Sequence, residues 1–295
     1  MLMMPNFLFI GPSKSASTWI FEVLRSHPQI FVPPCKDIYF FDRFYDKGLN
    51  WYSSHFPSFS EKPVVGEISH DYLFSETACV RIKKDLPGVK LITCLRNPVD
   101  RLFSEYLFRR KHGLVSGDIF ESLKSYPDIL DQSFYFRPIK NYVTQFGMEH
   151  LLILDFEEIK KDPDNVSEII YRFLGVDPTF RAPIAKEVVL PASFARNRTL
   201  AFMSKKMAET LRNMGFSNLV GHLKRSHFIN RLLYKEYIEE NYPRLSPEDR
   251  MKIYHIFKDD IVFLENFLNV RFDSWHPKSL NSKEEALLQN TEPAC

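Results

Sequence analysis

The chain has 295 residues, 44% of them hydrophobic and 15% aromatic, which suffices for a sizeable core and argues against a disordered polypeptide. Its formal charge of +2 is too small to make nucleic acid or an anionic membrane the default partner. Four scattered cysteines, Cys35, Cys79, Cys94 and Cys295, form no C-x-x-C pair and no metal-ligand spacing; Cys94, in an apolar run, reads as a buried thiol.

The start, Met1-Leu2-Met3-Met4, lacks a basic flank, and Pro5-Asn6 breaks its apolar run. Neither a signal peptide nor a membrane anchor is expected, which points to a soluble, reducing, cytoplasmic setting. Short apolar runs at 6–10, 64–68, 89–95 and 150–155 are bounded by turn residues and predict buried strands of a parallel sheet. Helical patterns near 17–26, 76–86, 98–112 and 135–147 alternate with them, so an α/β fold with helices flanking the sheet is expected. Asn97-Pro98 predicts a helix start, an N-cap followed by proline at the first helical position, and Gly113 a stop. The second half reads as mostly helical, with one-face patterns over 164–174 and 247–269. With no repeat or long linker, one domain over 1–277 and a polar tail over 278–295 are expected.

Four blocks carry chemistry. In the first, the run Phe7–Gly11 leads into Pro12-Ser13-Lys14-Ser15-Ala16-Ser17-Thr18-Trp19 and the first helix. The first N–H groups of a helix have no internal partner, and the helix dipole places partial positive charge there. A lysine and hydroxyls at that point make an anion cradle. The order is not that of a Walker A loop, whose lysine comes last. In the second block, Arg96 follows the strand expected over 89–95, and Ser104 comes eight residues later on a helix. A strand's carboxyl end is where open α/β sheets bind ligands, and an arginine fork suits phosphate. The third block runs Lys36-Asp37-Ile38-Tyr39-Phe40-Phe41-Asp42 and on to Lys47-Gly48-Leu49-Asn50-Trp51-Tyr52. The fourth is Gly66-Glu67-Ile68-Ser69-His70-Asp71-Tyr72, in which a strand-end imidazole can accept a hydroxyl proton near neutrality.

Together these blocks resemble the sulfotransferases that use 3′-phosphoadenosine 5′-phosphosulfate (PAPS), of bacterial or cytosolic type with features of the heparan sulfate sulfotransferases. The first block is similar to P-K-S-G-T-T-W, with Ala16 in place of the frequent glycine. The Arg96 and Ser104 spacing is similar to the family's 3′-phosphate signature. The third block is similar to K-E-x-H-F-F-D…Y-x-K-G-x-x-W-Y. His70 falls on the histidine of K-T-H-L-P, while the lysine two residues earlier is replaced by Ile68. The stretch from Leu151 to Val176 resembles the family's E-x-L…D-P…F-L-G segment.

The resemblance implies a P-loop-like sheet and a cofactor site built from Lys14, Ser15, Ala16, Ser17 and Thr18 at the 5′-phosphosulfate. Arg96 and Ser104 would hold the 3′-phosphate, with Arg196 and Arg198 as candidates for a late basic loop. Trp19 would stack on adenine or else pack in the core. His70 is the expected base, with Asp37 its partner or competitor, and Lys14 would stabilise the departing phosphate. Asp37, Phe40, Asp42 and Tyr72 would line the acceptor, Phe40 being read mainly as core. Fixed cations stand in for magnesium, so no metal is expected. The product would be adenosine 3′,5′-bisphosphate (PAP).

Carboxylates at Asp37, Asp42, Glu67 and Asp71 would repel a sulfated glycan. A neutral or cationic small-molecule acceptor, such as a bacterial secondary metabolite or alkaloid toxin, is therefore expected, with a glycan or glycolipid as the alternative. The rivals from other classes are a P-loop kinase and a noncatalytic nucleotide-binding protein. Asp155, ending the run 151–155, imitates a Walker B carboxylate, but no Walker A loop precedes it.

Overall fold

A computed structural model describes residues 3–56, 61–187, 193–195, 198–213, 234–236 and 243–277. Its centre is a five-stranded sheet of β1 (Phe7–Gly11), β2 (Ile30–Phe31), β3 (Val64–Ile68), β4 (Lys90–Leu95) and β5 (Leu151–Asp155). Every pairing is parallel, in the order β2-β3-β1-β4-β5. β1 and β3 are buried along their whole length, which is why they read as continuous apolar runs rather than alternating ones. Ser193–Ala195 and Tyr234–Glu236 form a separate antiparallel pair, β6 and β7.

Alternate residues of β1 serve opposite faces. Leu8 and Ile10 join the core under α4 (Glu76–Asp85), α5 (Pro98–Lys111), α8 (Phe136–Phe146) and α12 (Pro247–Leu268). Phe7 and Phe9 join the other, under α1 (Ser17–Ser26) and α10 (Pro163–Leu174). Helices thus cover both faces, as the alternation of runs predicts. Smaller helices fill the connections: α2 (Phe40–Arg43), α3 (Gly48–Ser53), α6 (Ile119–Ser125), α7 (Asp128–Asp131) and α9 (Phe156–Lys161). α11 (Arg198–Asn213) follows the main sheet in sequence.

The long helices begin where local chemistry dictates. Asn97 caps α5 by accepting from the Val99 N–H at 3.0 Å, and Pro98 takes the first helical position. Ser246 caps α12 by accepting from Asp249 N–H at 3.0 Å. Asp155 proves to be the cap of α9, accepting from the Glu157 N–H at 3.1 Å. Cys35, Cys79 and Cys94 are buried; burial pushes the Cys79 thiol up to about 12, which keeps it unreactive.

The sheet order changes direction around β1, with β3 on one side and β4 on the other. The carboxyl ends of these three strands therefore open onto one crevice, the place where such sheets bind ligands. The loop after β1, Ser69-His70 after β3 and Arg96 after β4 all emerge there.

Candidate active site

α1 starts without a conventional cap. Ala16 occupies the cap position in the left-handed region (φ 59°) and has no side chain to accept from the first turn. The opening N–H groups of α1 therefore face outward, and no acidic residue lies in that turn to compete with an anion. Lys14 is also left-handed (φ 65°). These are backbone states that a side chain disfavours by about 1–2 kcal/mol, and they explain why glycine is frequent at the position of Ala16. Two more left-handed residues, Asp37 (φ 69°) and Tyr39 (φ 57°), lie across the crevice. Backbone cost of this kind collects where geometry serves a ligand.

Lys14 sits over the Phe108 ring of α5, 4.4 Å from its centroid. Burial, together with the neighbouring charges of Arg96 and Lys36, brings its ammonium down to about 8, against a partial counter-effect from Glu105. Arg96 donates from Nη1 to the Lys14 carbonyl at 3.1 Å, which ties its guanidinium to the main chain of the loop. The Tyr135 hydroxyl donates to the Arg96 carbonyl at 3.0 Å. Tyr135 is held in turn by Asp260 of α12, which accepts from its backbone N–H at 2.7 Å. Ser104 is half-buried one turn before Phe108 on α5, hence on the helix face turned towards Lys14.

Two polar atoms of the cradle, Ser15 Oγ and Arg96 Nε, are buried without a hydrogen-bond partner among the described residues. Groups of that kind are costly unless a ligand satisfies them, and hydroxyl and guanidinium donors are those a phosphate needs. The cradle fits a phosphate group.

On the opposite wall, His70 Nδ1 lies 2.6 Å from Asp37 Oδ1. The ring's Nε2 is 3.1 Å from the Tyr39 hydroxyl and 3.4 Å from Asp71. Asp37 is buried and His70 keeps 21% of its side chain exposed, so the pair presents the imidazole to the crevice. Arg43 pairs with Asp71 and stacks over the Tyr39 ring at 3.9 Å. Backbone stitches fix the wall: Asp37 N donates to Ile68 O at 2.7 Å, Ser69 N to Phe9 O at 3.0 Å, and Tyr39 N to Ser69 Oγ at 3.2 Å. A side chain at Gly11 would collide with the His70 carbonyl, so β1 and the histidine backbone are in direct contact there.

Beneath this wall lies Glu67, 1% exposed. It accepts from Tyr52 at 2.5 Å, from Tyr72 at 2.8 Å, and from Ser69. Burial raises its carboxyl to about 7, with the three hydroxyl donors pulling the other way. Its contribution to stability is therefore fullest below pH 4.5 and declines as pH rises through 7. Replacing Glu67 by alanine strands three buried hydroxyls, and a loss of roughly 3 kcal/mol or more is expected, read by denaturant unfolding. An unchanged midpoint would show that the hydroxyls find other acceptors.

The crevice brings together Lys14, Ser15, Ser17, Thr18 and Arg96 on one side and Asp37 with His70 on the other. Several expected roles are corrected. Trp19 is 8% exposed and donates from Nε1 to the Ala185 carbonyl at 2.8 Å; of its two expected roles, core packing is the one this geometry serves. Phe40 is fully buried and stacks on Tyr52 with centroids 4.4 Å apart, and Tyr72 is fully buried against Glu67. Neither can line an acceptor pocket. Glu67 is likewise no rim charge, and Asp71 is matched by Arg43. Asp42 lies 3.4 Å from Arg43 Nε, with its other oxygen buried and unpartnered among the described residues. Burial raises its carboxyl to about 6. Arg196 lies outside the described residues, as do the side chain of Arg198, at the start of α11, and the tail from 278.

Sequence reasoning assigned no role to Lys36 or Tyr39. Lys36 Nζ donates to Ser17 Oγ at 3.1 Å and Thr18 Oγ1 at 2.9 Å, and Tyr39 meets the histidine. Their adjacency to Asp37 was the available signal.

Comparison with known proteins agrees with this architecture. The sulfotransferase-domain family model matches residues 4–267. The chain belongs to the sulfotransferase family. It is 31% identical over 199 residues to bifunctional heparan sulfate N-deacetylase/N-sulfotransferase 4 of Mus musculus, covering 60% of this chain and 23% of that one. It is 35% identical over 111 residues to the membrane-associated sulfotransferase kil1 of Dictyostelium discoideum, covering 37% and 24%. The chain thus spans about a quarter of the length of these curated relatives. A sulfotransferase from Alicyclobacillus acidocaldarius superposes with a TM-score of 0.67 at 23% identity, covering 92% of this chain and 99% of that one. A mouse sulfotransferase complexed with PAP superposes with a TM-score of 0.51 at 18% identity, over 87% and 84%. Both share the fold. Among the described residues, no helix is long and apolar enough to cross a membrane.

Proposed function

We propose that this chain transfers a sulfuryl group from PAPS to a hydroxyl or amine, with His70 taking the acceptor's proton. The observation that carries the reading is the Arg96 guanidinium bonded to the Lys14 carbonyl, with Ser15 Oγ and Arg96 Nε buried and unpartnered among the described residues, opposite the Asp37–His70 pair. PAPS, when bound, supplies the activated sulfuryl group. Lys14, Ser15, Ser17, Thr18 and the open N–H groups of α1 hold its 5′ end, and Arg96 with Ser104 its 3′-phosphate. Asp37 accepts from Nδ1–H and so leaves Nε2 as the basic nitrogen, the division of labour of a histidine–carboxylate pair. As the acceptor's oxygen or nitrogen bonds to sulfur, its proton passes to His70. The sulfur–oxygen bond to the phosphate breaks with its electron pair remaining on PAP, whose new charge faces Lys14.

For the acceptor, the reading favoured is a small neutral or cationic molecule. Ile68 at the end of β3 is buried and brings no cation, and Asp37, Asp42 and Asp71 outnumber Lys36 and Arg43 along that wall. The relation to heparan sulfate N-sulfotransferases supports a second reading, a glycan amine or hydroxyl.

The test is thermal shift against PAP, AMP and ATP. PAP should stabilise the protein well beyond AMP, and Arg96→Ala should erase that difference while leaving the AMP response in place. Equal responses to PAP and AMP in the wild-type protein would remove the reading. Magnesium-dependent stabilisation by ATP above PAP would favour a kinase. Strong PAP binding with no labelled sulfate leaving PAPS across an acceptor screen would favour a noncatalytic binding protein.

A further inference from the structure

Ile68 brings no charge to the end of β3, but a cation, Lys36, lies on the same side of the crevice. Lys36 belongs to the segment between β2 and α2, whose next residue, Asp37, is tied to the end of β3 through the Ile68 carbonyl. From there its side chain crosses the crevice and donates to both hydroxyls on the first turn of α1, Ser17 at 3.1 Å and Thr18 at 2.9 Å. Its charge is close enough to lower the ammonium of Lys14. One residue on, the Asp37 carboxylate holds His70. Lys36 therefore spans the gap between the anion cradle and the proton acceptor.

In-line transfer requires the moving sulfur to lie between the leaving phosphate oxygen and the attacking atom. The cradle fixes the first of these and His70 the second, so a cation anchored at the edge of the cradle on a segment that leads to the Asp37–His70 wall is placed to reach the group in transit. We infer that Lys36 binds the sulfuryl oxygens of the donor, acting as the residue that distinguishes the loaded donor, PAPS, from its spent product, PAP. Ser17 and Thr18 hold the ammonium at the mouth of the cradle until the sulfuryl group arrives. The inference rests on the PAPS reading of the site.

The experiment measures binding by calorimetry, with PAPS and with PAP and no acceptor, for the wild-type protein, Lys36→Met and Lys36→Arg. Loss of one charge-assisted contact predicts a PAPS affinity about tenfold or more weaker in Lys36→Met, with PAP affinity within about threefold of wild type. Retained PAP binding also shows that the variant is folded. Lys36→Arg keeps the charge and should keep most of the preference for PAPS. Parallel losses for PAPS and PAP would overturn the inference, since a cation acting on the whole anion, or needed for folding, weakens both. Unchanged affinities would overturn it equally. A wild-type protein that binds neither compound would instead remove the functional reading beneath it.

Discussion

His70→Ala is expected to lower turnover by about three orders of magnitude while PAP affinity stays within about threefold. General base catalysis by a positioned side chain is worth roughly 10²–10⁴-fold, and His70 lies on the wall opposite the nucleotide cradle, so the loss falls on the chemical step. Asp37→Asn is the sharper partner experiment. Asparagine preserves the shape and the contact to Nδ1 but can present its amide N–H there, which favours the wrong tautomer, with Nε2 protonated. A loss of about 10²-fold or more is expected, with the bisphosphate bound as before. The 2.6 Å contact between these two side chains makes the outcomes informative as a set. Should Asp37→Ala abolish turnover while His70→Ala retains it, the carboxylate is the base and the imidazole its support. Acceptor turnover followed by release of labelled sulfate from PAPS reads both variants.

Lys14→Met is expected to weaken PAP binding and to lower turnover by about 10²-fold, because a preorganised cation at the leaving group stabilises the charge that grows there in the transition state. The lysine also predicts the pH dependence. Its ammonium in the ligand-free protein is brought down to about 8, chiefly by burial, and only the protonated form attracts the phosphate. Below pH 8 the charge is present and affinity stays flat. Above it, each further pH unit removes about nine-tenths of the protonated fraction, and the logarithm of affinity should fall with a slope approaching −1. Lys14→Arg keeps its charge throughout this range and should lose the break. A wild-type profile that is flat to pH 10 would show that the ammonium is not depressed in the free protein.

The sheet and its principal helices were legible because their causes are local. Buried parallel strands are continuous apolar runs, and the starts of α5 and α12 are written in cap residues and prolines. β2, a pair of residues, and the short helices α2 and α3 were not legible, since so few residues carry no period. Lys14, Arg96, Asp37 and His70 could be assigned from motifs, yet their meeting across 82 positions for one pair and 33 for the other is a property of strand order. Burial was the weakest inference. Tyr72 and Glu67 sit in a segment that does line the crevice, but their own side chains turn inward, and sequence alone could not say so. Glu67 was the hardest case, because a carboxylate reads as surface until three hydroxyls are found pointing at it.

The contact of Gly11 with the His70 carbonyl leaves no room for even a methyl group. The spacing from donor to base is thereby set by main chain against main chain, at a joint that flexible side chains cannot loosen. Side-chain substitutions elsewhere on that wall would leave this joint, and with it the transfer distance of the proposed reaction, unaltered.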